Sequence, residues 1–317
     1  MRVSKKVLKS FGDDLQRIAH RKTPMALSVG ATGGYLVPPE LALAIDEGFQ
    51  EASIFMAQAY VQPMTREEIT LPRVSLTASH SAGTSPLFGG VAISWFKEGA
   101  SIPESEPTFQ GVTLRSRNAG ILVYASDNLV ADGGEALATY VQFVAASAIA
   151  FAVDYKCFNG NGVAEPLGIL NSPARYRQTR AVANHVSQQD LANMIAHLIP
   201  ACFNRSIWCC HPTALADIMN LSSFFVNGDK MYLLGRPLFV TEKVPPLGTE
   251  GDVTLLDPKL YALGNRLTDF AVSDQVGFLN RQTVFRFIWR GDGQPLTDGT
   301  ATLADGTSSA GVFVSLN

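Results

Sequence analysis

Charge is scarce in this chain. Asp, Glu, Lys and Arg make up 17% of the 317 residues, against 46% hydrophobic ones. That balance excludes a disordered polypeptide and suits a packed subunit that buries surface in an assembly. The net charge of −3 excludes a general nucleic-acid binder. Cysteine is scarce as well. Cys157, Cys202, Cys209 and Cys210 are too few and too clustered for a secreted disulfide scaffold, and they point to a reducing compartment. There is no CxxC pair. Adjacent cysteines on a strand face opposite ways, so Cys202, Cys209, Cys210 and His211 fit a metal site poorly and read as core residues.

The signatures of catalysis are missing too. The sequence has no GK[ST] phosphate loop, no G-x-S-x-G elbow and no H-E-x-x-H pair. His20, His80, His185, His197 and His211 are scattered, and Glu67-Glu68 reads as a solvated turn. Gly160-Asn161-Gly162 follows a helix, where the dipole has the wrong sign for an anion; a left-handed cap and turn is expected there. No catalytic residue, cofactor or metal ligand emerges, so the chain is not expected to be an enzyme. An active-site lid on an enzyme remains the reading to which a pocket of perturbed titratable groups would point. The first residues lack a signal-peptide core, and no internal repeat is present.

Two features stand out from what is there. Residues 74–110 form a stretch rich in Ser, Thr, Gly and Pro, punctuated by Leu87, Phe88, Val91, Ile93, Trp95 and Phe96. Loops of this length are usually functional or disordered, and the apolar anchors argue for an extended arm that lies on a neighbouring subunit. The second is a helix over about 135–159. Ala136 to Val153 carries no charge, which reaches the length of a membrane span. Its Thr139, Tyr140, Gln142 and Ser147, and its ordinary soluble flanks, favour a buried structural spine of roughly 36 Å, with Asp154 and Lys156 at its exit. No membrane partner is expected.

Other elements follow from periodicity and punctuation. Val7, Leu8, Phe11, Leu15 and Ile18 alternate with basic residues at helical spacing. This basic N-terminus is either a solvated terminus or an arm that meets a neighbour, a scaffold or DNA phosphates. Pro38-Pro39-Glu40 opens a helix. Ile69–Val74 is a short strand, at an edge because of Pro72. Val112–Arg117 and Gly120–Ser126 are strands around an Asn118-Ala119-Gly120 turn. Ser187-Gln188-Gln189-Asp190 caps a helix that Pro200 ends. Ile207–Cys210 is a buried strand, Ala214–Leu221 a helix, and a Gly235-Arg236-Pro237 turn leads into another strand. Val253–Leu256, Tyr261–Leu263, Val284–Trp289 and Gly311–Leu316 are further strands.

Several pieces, in order, resemble one family. Trp95-Phe96-Lys97-Glu98-Gly99, Ile102-Pro103-Glu104-Ser105 and Phe109 look like the distal arm of tailed-phage major capsid proteins of the Hong Kong 97 type. Gly33-Gly34-Tyr35-Leu36-Val37-Pro38 resembles the start of that family's shell domain. The strand pair, the long helix ending in Phe158-Asn159-Gly160-Asn161-Gly162, and Pro166-Leu167-Gly168-Ile169-Leu170 follow in its order. Trp208–Leu215, Leu234–Leu238 and Asp257-Pro258 are similar to pieces of its second domain.

The resemblance implies an α+β phage capsid fold. An N-terminal arm would cover 1–32. A peripheral domain, with the long spine helix and an antiparallel sheet, would combine 33–73, 111–185 and 265–317. Residues 74–110 would be the extended arm loop, and 186–264 an axial α/β domain. The implied function is a major capsid protein that assembles through pentamers and hexamers into an icosahedral shell around double-stranded DNA, built in the host bacterial cytoplasm. The implied partners are further copies of itself, a scaffolding protein, a portal, a decoration protein and non-specifically held DNA. Trp95 and Phe96 would anchor the arm, and Glu98 and Glu104 would reach a basic neighbour. The family's Lys–Asn crosslink is not expected. Gly99 stands at the lysine position, Lys97 is two residues early, and no Glu lies in 284–290, although Asn280 is near the asparagine region. About 30 residues precede Gly33, and Met1 favours a separate scaffolding protein. The shell of an encapsulin-type nanocompartment, which shares the fold, is the alternative.

Overall fold

The computed structural model describes residues 53–77, 85–91, 93–99, 101 and 104–317. The basic arm 1–32 and the helix opening at Pro38 lie outside the described residues. Two compact units form. The smaller includes Gly120–Ala146 and Asp269–Ile288; the larger includes 53–119, Ser147–Thr268 and Trp289–Asn317.

In the larger unit, a seven-stranded sheet provides the main core. Its strands are β5 (Arg175–Gln178), β6 (Ile207–Cys210), β7 (Phe224–Asn227), β8 (Lys230–Leu233), β9 (Arg236–Val240), β10 (Val253–Leu256) and β15 (Phe313–Leu316), in the order β5-β15-β10-β6-β9-β8-β7. The central strands β6 and β10 read IWCC and VTLL and are buried at every position, the pattern of strands covered on both faces. Helix α3 (Gln188–Ala196) starts at Ser187 with a capping box to Asp190, as the sequence pattern predicts. Helix α4 (Pro212–Met219) follows, capped by His211. The sheet takes β5 and β15 from outside 186–264, so that segment alone does not hold the whole sheet. The expected Gly-Arg-Pro turn is shifted. Leu234 and Gly235 make the turn, both at positive φ, while Arg236 already pairs with Leu233.

All four cysteines are buried. Burial, chiefly, pushes the thiols of Cys202 and Cys210 up to about 12, so they stay protonated and inert.

Helix α2 (Asp127–Asn159) contains the expected spine, kinked at Gly134. Leu137, Val141, Ala145, Ile149 and Val153 are buried at strict four-residue spacing. Only 28% of its apolar window is buried among the described residues, which corrects the reading of a buried helix: one face is covered. Asp154 also differs from expectation. Read as part of the helix exit, it lies five residues before the helix end and is fully buried 3.2 Å from the equally buried Lys243. It further accepts hydrogen bonds from Ser53 Oγ at 2.8 Å and from the Ile54 amide at 2.7 Å, at the start of helix α1 (Ile54–Gln58). Beside it, the Phe55 ring meets Phe158 edge-on at 5.0 Å and Tyr261 at 4.9 Å. The helix end is tied down by close approach at Gly160, where an added Cβ would fall 2.1 Å from the Pro166 carbonyl oxygen. The left-handed residue of that turn is Gly162.

The larger unit also holds β1 (Tyr60–Pro63), parallel to the start of β11 (Tyr261–Gly277), and the antiparallel pair β2 (Glu68–Val74) and β3 (Phe109–Arg115). Pro72 sits in β2, whose one partner among the described residues is β3, so its missing N–H is tolerated. Met64, Val112, Leu114, Ala262 and Leu296 pack beneath this ribbon with Ile69 and Leu71.

In the smaller unit, residues 269–277 of β11 lie beside 282–288 of β12 (Gln282–Pro295). The latter lie beside 120–126 of β4 (Arg117–Ser126). Phe270 packs on Phe287 at 4.8 Å and on Phe285 at 6.3 Å. The expected turn at Asn118–Gly120 is therefore strand instead. Because β3 pairs with β2 and β4 with β12, no hairpin turn joins β3 to β4; the chain needs only Ser116 between them.

Candidate assembly surface

The arm begins as the β2–β3 ribbon and is gripped at its root. The Asp298 carboxylate accepts hydrogen bonds from the Leu76 amide at 2.9 Å, from Thr77 Oγ1 at 2.8 Å and from Ser75 Oγ. Burial works to raise its pKa, but these three bonds outweigh it and hold the carboxyl below its usual range. Farther out, the Ser75 amide donates to Thr108 at 3.0 Å and the Thr108 amide to Gly89 at 2.9 Å. A short 3-10 turn, Pro86–Phe88, folds back here. Gly89 is left-handed, and a Cβ on it would strike Val74 at 2.8 Å and the Thr108 carbonyl at 2.9 Å, so only glycine closes this crossing.

Beyond that crossing the described arm residues form no strand; the Val91 amide turns back to the Phe88 carbonyl at 3.3 Å. Trp95 is 98% exposed and Phe96 54%, with Ile93 and Phe88 also open to solvent. Glu98 and Glu104 are exposed on the same arm. The structure thus puts all four sequence-predicted contact residues on one exposed segment.

Sequence reasoning missed three features. Asp298, which holds the arm root, lies more than 220 residues from it in sequence, and no local pattern signals such a contact. The end of β11 exposes Val276, and the turn between β11 and β12 exposes Phe278 and Leu279 at 80% and 85%. The Phe-Leu pair was visible there but carried no periodicity. Finally, a cavity of about 390 Å³ opens at the arm root, lined by apolar groups of the ribbon and by residues around Pro200–Arg205.

Comparison with known proteins places this architecture. The model of the phage capsid family matches residues 33–303. Among solved structures, the capsid of an empty GTA particle is 15% identical. The match covers 92% of this chain and 98% of that one, with a TM-score of 0.66. A structure from Mycobacterium phage Bobi is 16% identical over 93% of this chain and 98% of that one, with a TM-score of 0.60. The capsid of the cyanophage P-SCSP1u is 12% identical over the same shares, with a TM-score of 0.51. No curated protein matches the sequence. These neighbours share the mixed helix-and-sheet fold, and the family match spans most of the chain: it belongs to the phage capsid family.

Proposed function

We propose that the chain is a major capsid protein of the Hong Kong 97 type, which assembles with copies of itself through pentamers and hexamers into an icosahedral shell around double-stranded DNA. The observation that carries this reading is the arm: it is anchored at its root by Asp298 and Gly89, yet leaves Trp95 almost wholly exposed. A chain does not gain stability from an aromatic left in water; such a group suits a contact completed between molecules. Contacts repeated head to tail around a rotation axis close into rings. In this reading the segment 186–264, with β5 and β15 added, is the axial domain, and 74–110 reaches over the adjoining subunit. Glu98 and Glu104 meet basic groups there. A scaffolding protein, a portal and a decoration protein are the remaining partners, and assembly takes place in the host bacterial cytoplasm.

Negative-stain electron microscopy and mass determination of the expressed chain test the reading. Closed shells or five- and six-subunit rings support it, and nuclease-protected DNA in shells recovered from infected or induced cells separates a phage head from a protein-filled compartment. A chain that stays monomeric at high concentration, with and without the scaffolding protein, contradicts it.

A further inference from the structure

The cavity at the arm root combines apolar walls with a cation that the chain does not use. Val74 and Phe109 come from the ribbon, Leu87 from the folded-back turn, and Ile199 and Ala201 from the start of the Pro200–Arg205 turn. Phe109 is 65% exposed and Leu87 38%, so part of this lining stands in water. An apolar surface left open in this way, next to a fixed polar group, is the pattern of a small-molecule groove.

The charged side chains that line the groove are Arg73 and Arg205, and no acidic side chain does. Arg205 is committed: its Nε and one terminal nitrogen donate to the buried Asp257 at 3.0 and 2.7 Å. Arg73 is not. Its guanidinium lies 5.5 Å from the centre of the Tyr60 ring and has no acidic partner among the described residues. A second pocket, of about 230 Å³ near the end of the spine helix, shows the contrast. Both of its cations are spent within the chain, Lys156 on Glu165 at 2.6 Å and Arg117 on the Gly162 carbonyl at 2.7 Å and on Asp292 at 3.4 Å. A guanidinium free of such partners recognises a carboxylate through paired N–H donors.

We infer that the groove at the arm root binds a medium-chain fatty acid, with its aliphatic tail among Val74, Phe109, Ile199 and Ala201 and its carboxylate on Arg73. Each half of the groove selects one half of the ligand. A bare inorganic anion would leave the apolar walls wet, and a neutral hydrocarbon would gain nothing from Arg73. The volume of about 390 Å³ lies near the lower end of the range of small-molecule pockets, roughly 300–1,000 Å³, which suits one tail and not two. A ligand in this position touches both the ribbon and the Ile199–Ala201 segment, so it braces the arm root. The inference concerns the single subunit and does not depend on how subunits assemble.

Isothermal titration calorimetry of the full chain with sodium decanoate, kept below micelle formation, tests this. Binding should saturate at one decanoate per chain. Each methylene added between octanoate and decanoate should tighten it about four-fold, and decanol, which lacks the charge, should bind at least about ten-fold more weakly. Arg73→Gln should weaken decanoate by about the same factor and leave decanol unchanged. Ala201 is exposed, so Ala201→Trp fills the groove without entering the core. It should abolish binding of both ligands while far-ultraviolet circular dichroism stays unchanged. Absence of saturable decanoate binding overturns the inference. Equal affinity for decanol and decanoate refutes recognition of the carboxylate. Undiminished binding to a folded Ala201→Trp variant shows that the ligand sits elsewhere and refutes the groove.

Discussion

The surroundings of Asp154 and the surroundings of Trp95 are built on opposite terms. Around Asp154 the polar groups are matched within the chain. A carboxylate and an ammonium, both fully buried, meet at 3.2 Å, and the free amides at the start of α1 complete the carboxylate's shell. Around Trp95 an aromatic side chain that could bury well over 100 Å² is left 98% exposed. The first region sets whether the subunit folds. The second adds little to the subunit and, on the proposed reading, sets whether subunits associate.

Removing one half of the buried pair should break the first region hardest. Lys243→Met leaves Asp154 charged and buried without its cation. The expected loss is about 3–5 kcal/mol, a large part of the 5–15 kcal/mol that holds a typical domain. Urea unfolding of the isolated subunit measures it, and an unchanged midpoint would refute the role given to the pair.

The arm root lies between the two extremes. Asp298→Asn keeps the shape but weakens three hydrogen bonds to a charged acceptor, with an expected cost of roughly 1–2 kcal/mol. Hydrogen exchange at Leu76 should accelerate, while β6 and β10 stay protected. The pH dependence has a definite sign. The folded pKa of Asp298 is lowered, so its stabilisation is fully present above the ordinary carboxylate pKa and is lost as pH falls through the lowered folded value. Root exchange should therefore be steady across neutral and mildly acidic pH and rise only in stronger acid. In the Asn variant that acid step should vanish.

The smallest effect on the subunit is expected at the arm tip. Trp95→Ala combined with Phe96→Ala should change subunit stability by no more than about 0.5 kcal/mol, yet abolish shell formation. A large loss of subunit stability would erase the contrast between the two regions.

The same contrast governs what could be read from sequence. The regular interior was legible where pattern and environment agree. The uncharged run 136–153 marked the spine, IWCC marked a strand covered on both faces, and Ser187 with Asp190 marked a helix start. Trp95, Phe96, Glu98 and Glu104 were read as contacts to a neighbouring subunit from the arm's resemblance to the family, and the structure places them on one exposed segment. What escaped depends on partners distant in sequence. Asn118-Ala119-Gly120 has the residues of a turn, but pairing of β4 with β12 holds it extended. Asp154 looked like a polar helix exit until Lys243, from 89 residues away, came to meet it. Asp298 and the groove draw on segments that only the fold brings together.

Tryptophan accessibility tests the central claim most directly. The chain has three tryptophans, and Trp208 and Trp289 are already buried at 0% and 4% exposure, so change on assembly reports Trp95. Acrylamide quenching of the subunit and of the assembled shell should differ strongly, with the accessible component present in the subunit and lost in the shell, accompanied by a blue shift. An accessible component of equal size in both states would show that Trp95 stays in water after assembly and would contradict the account.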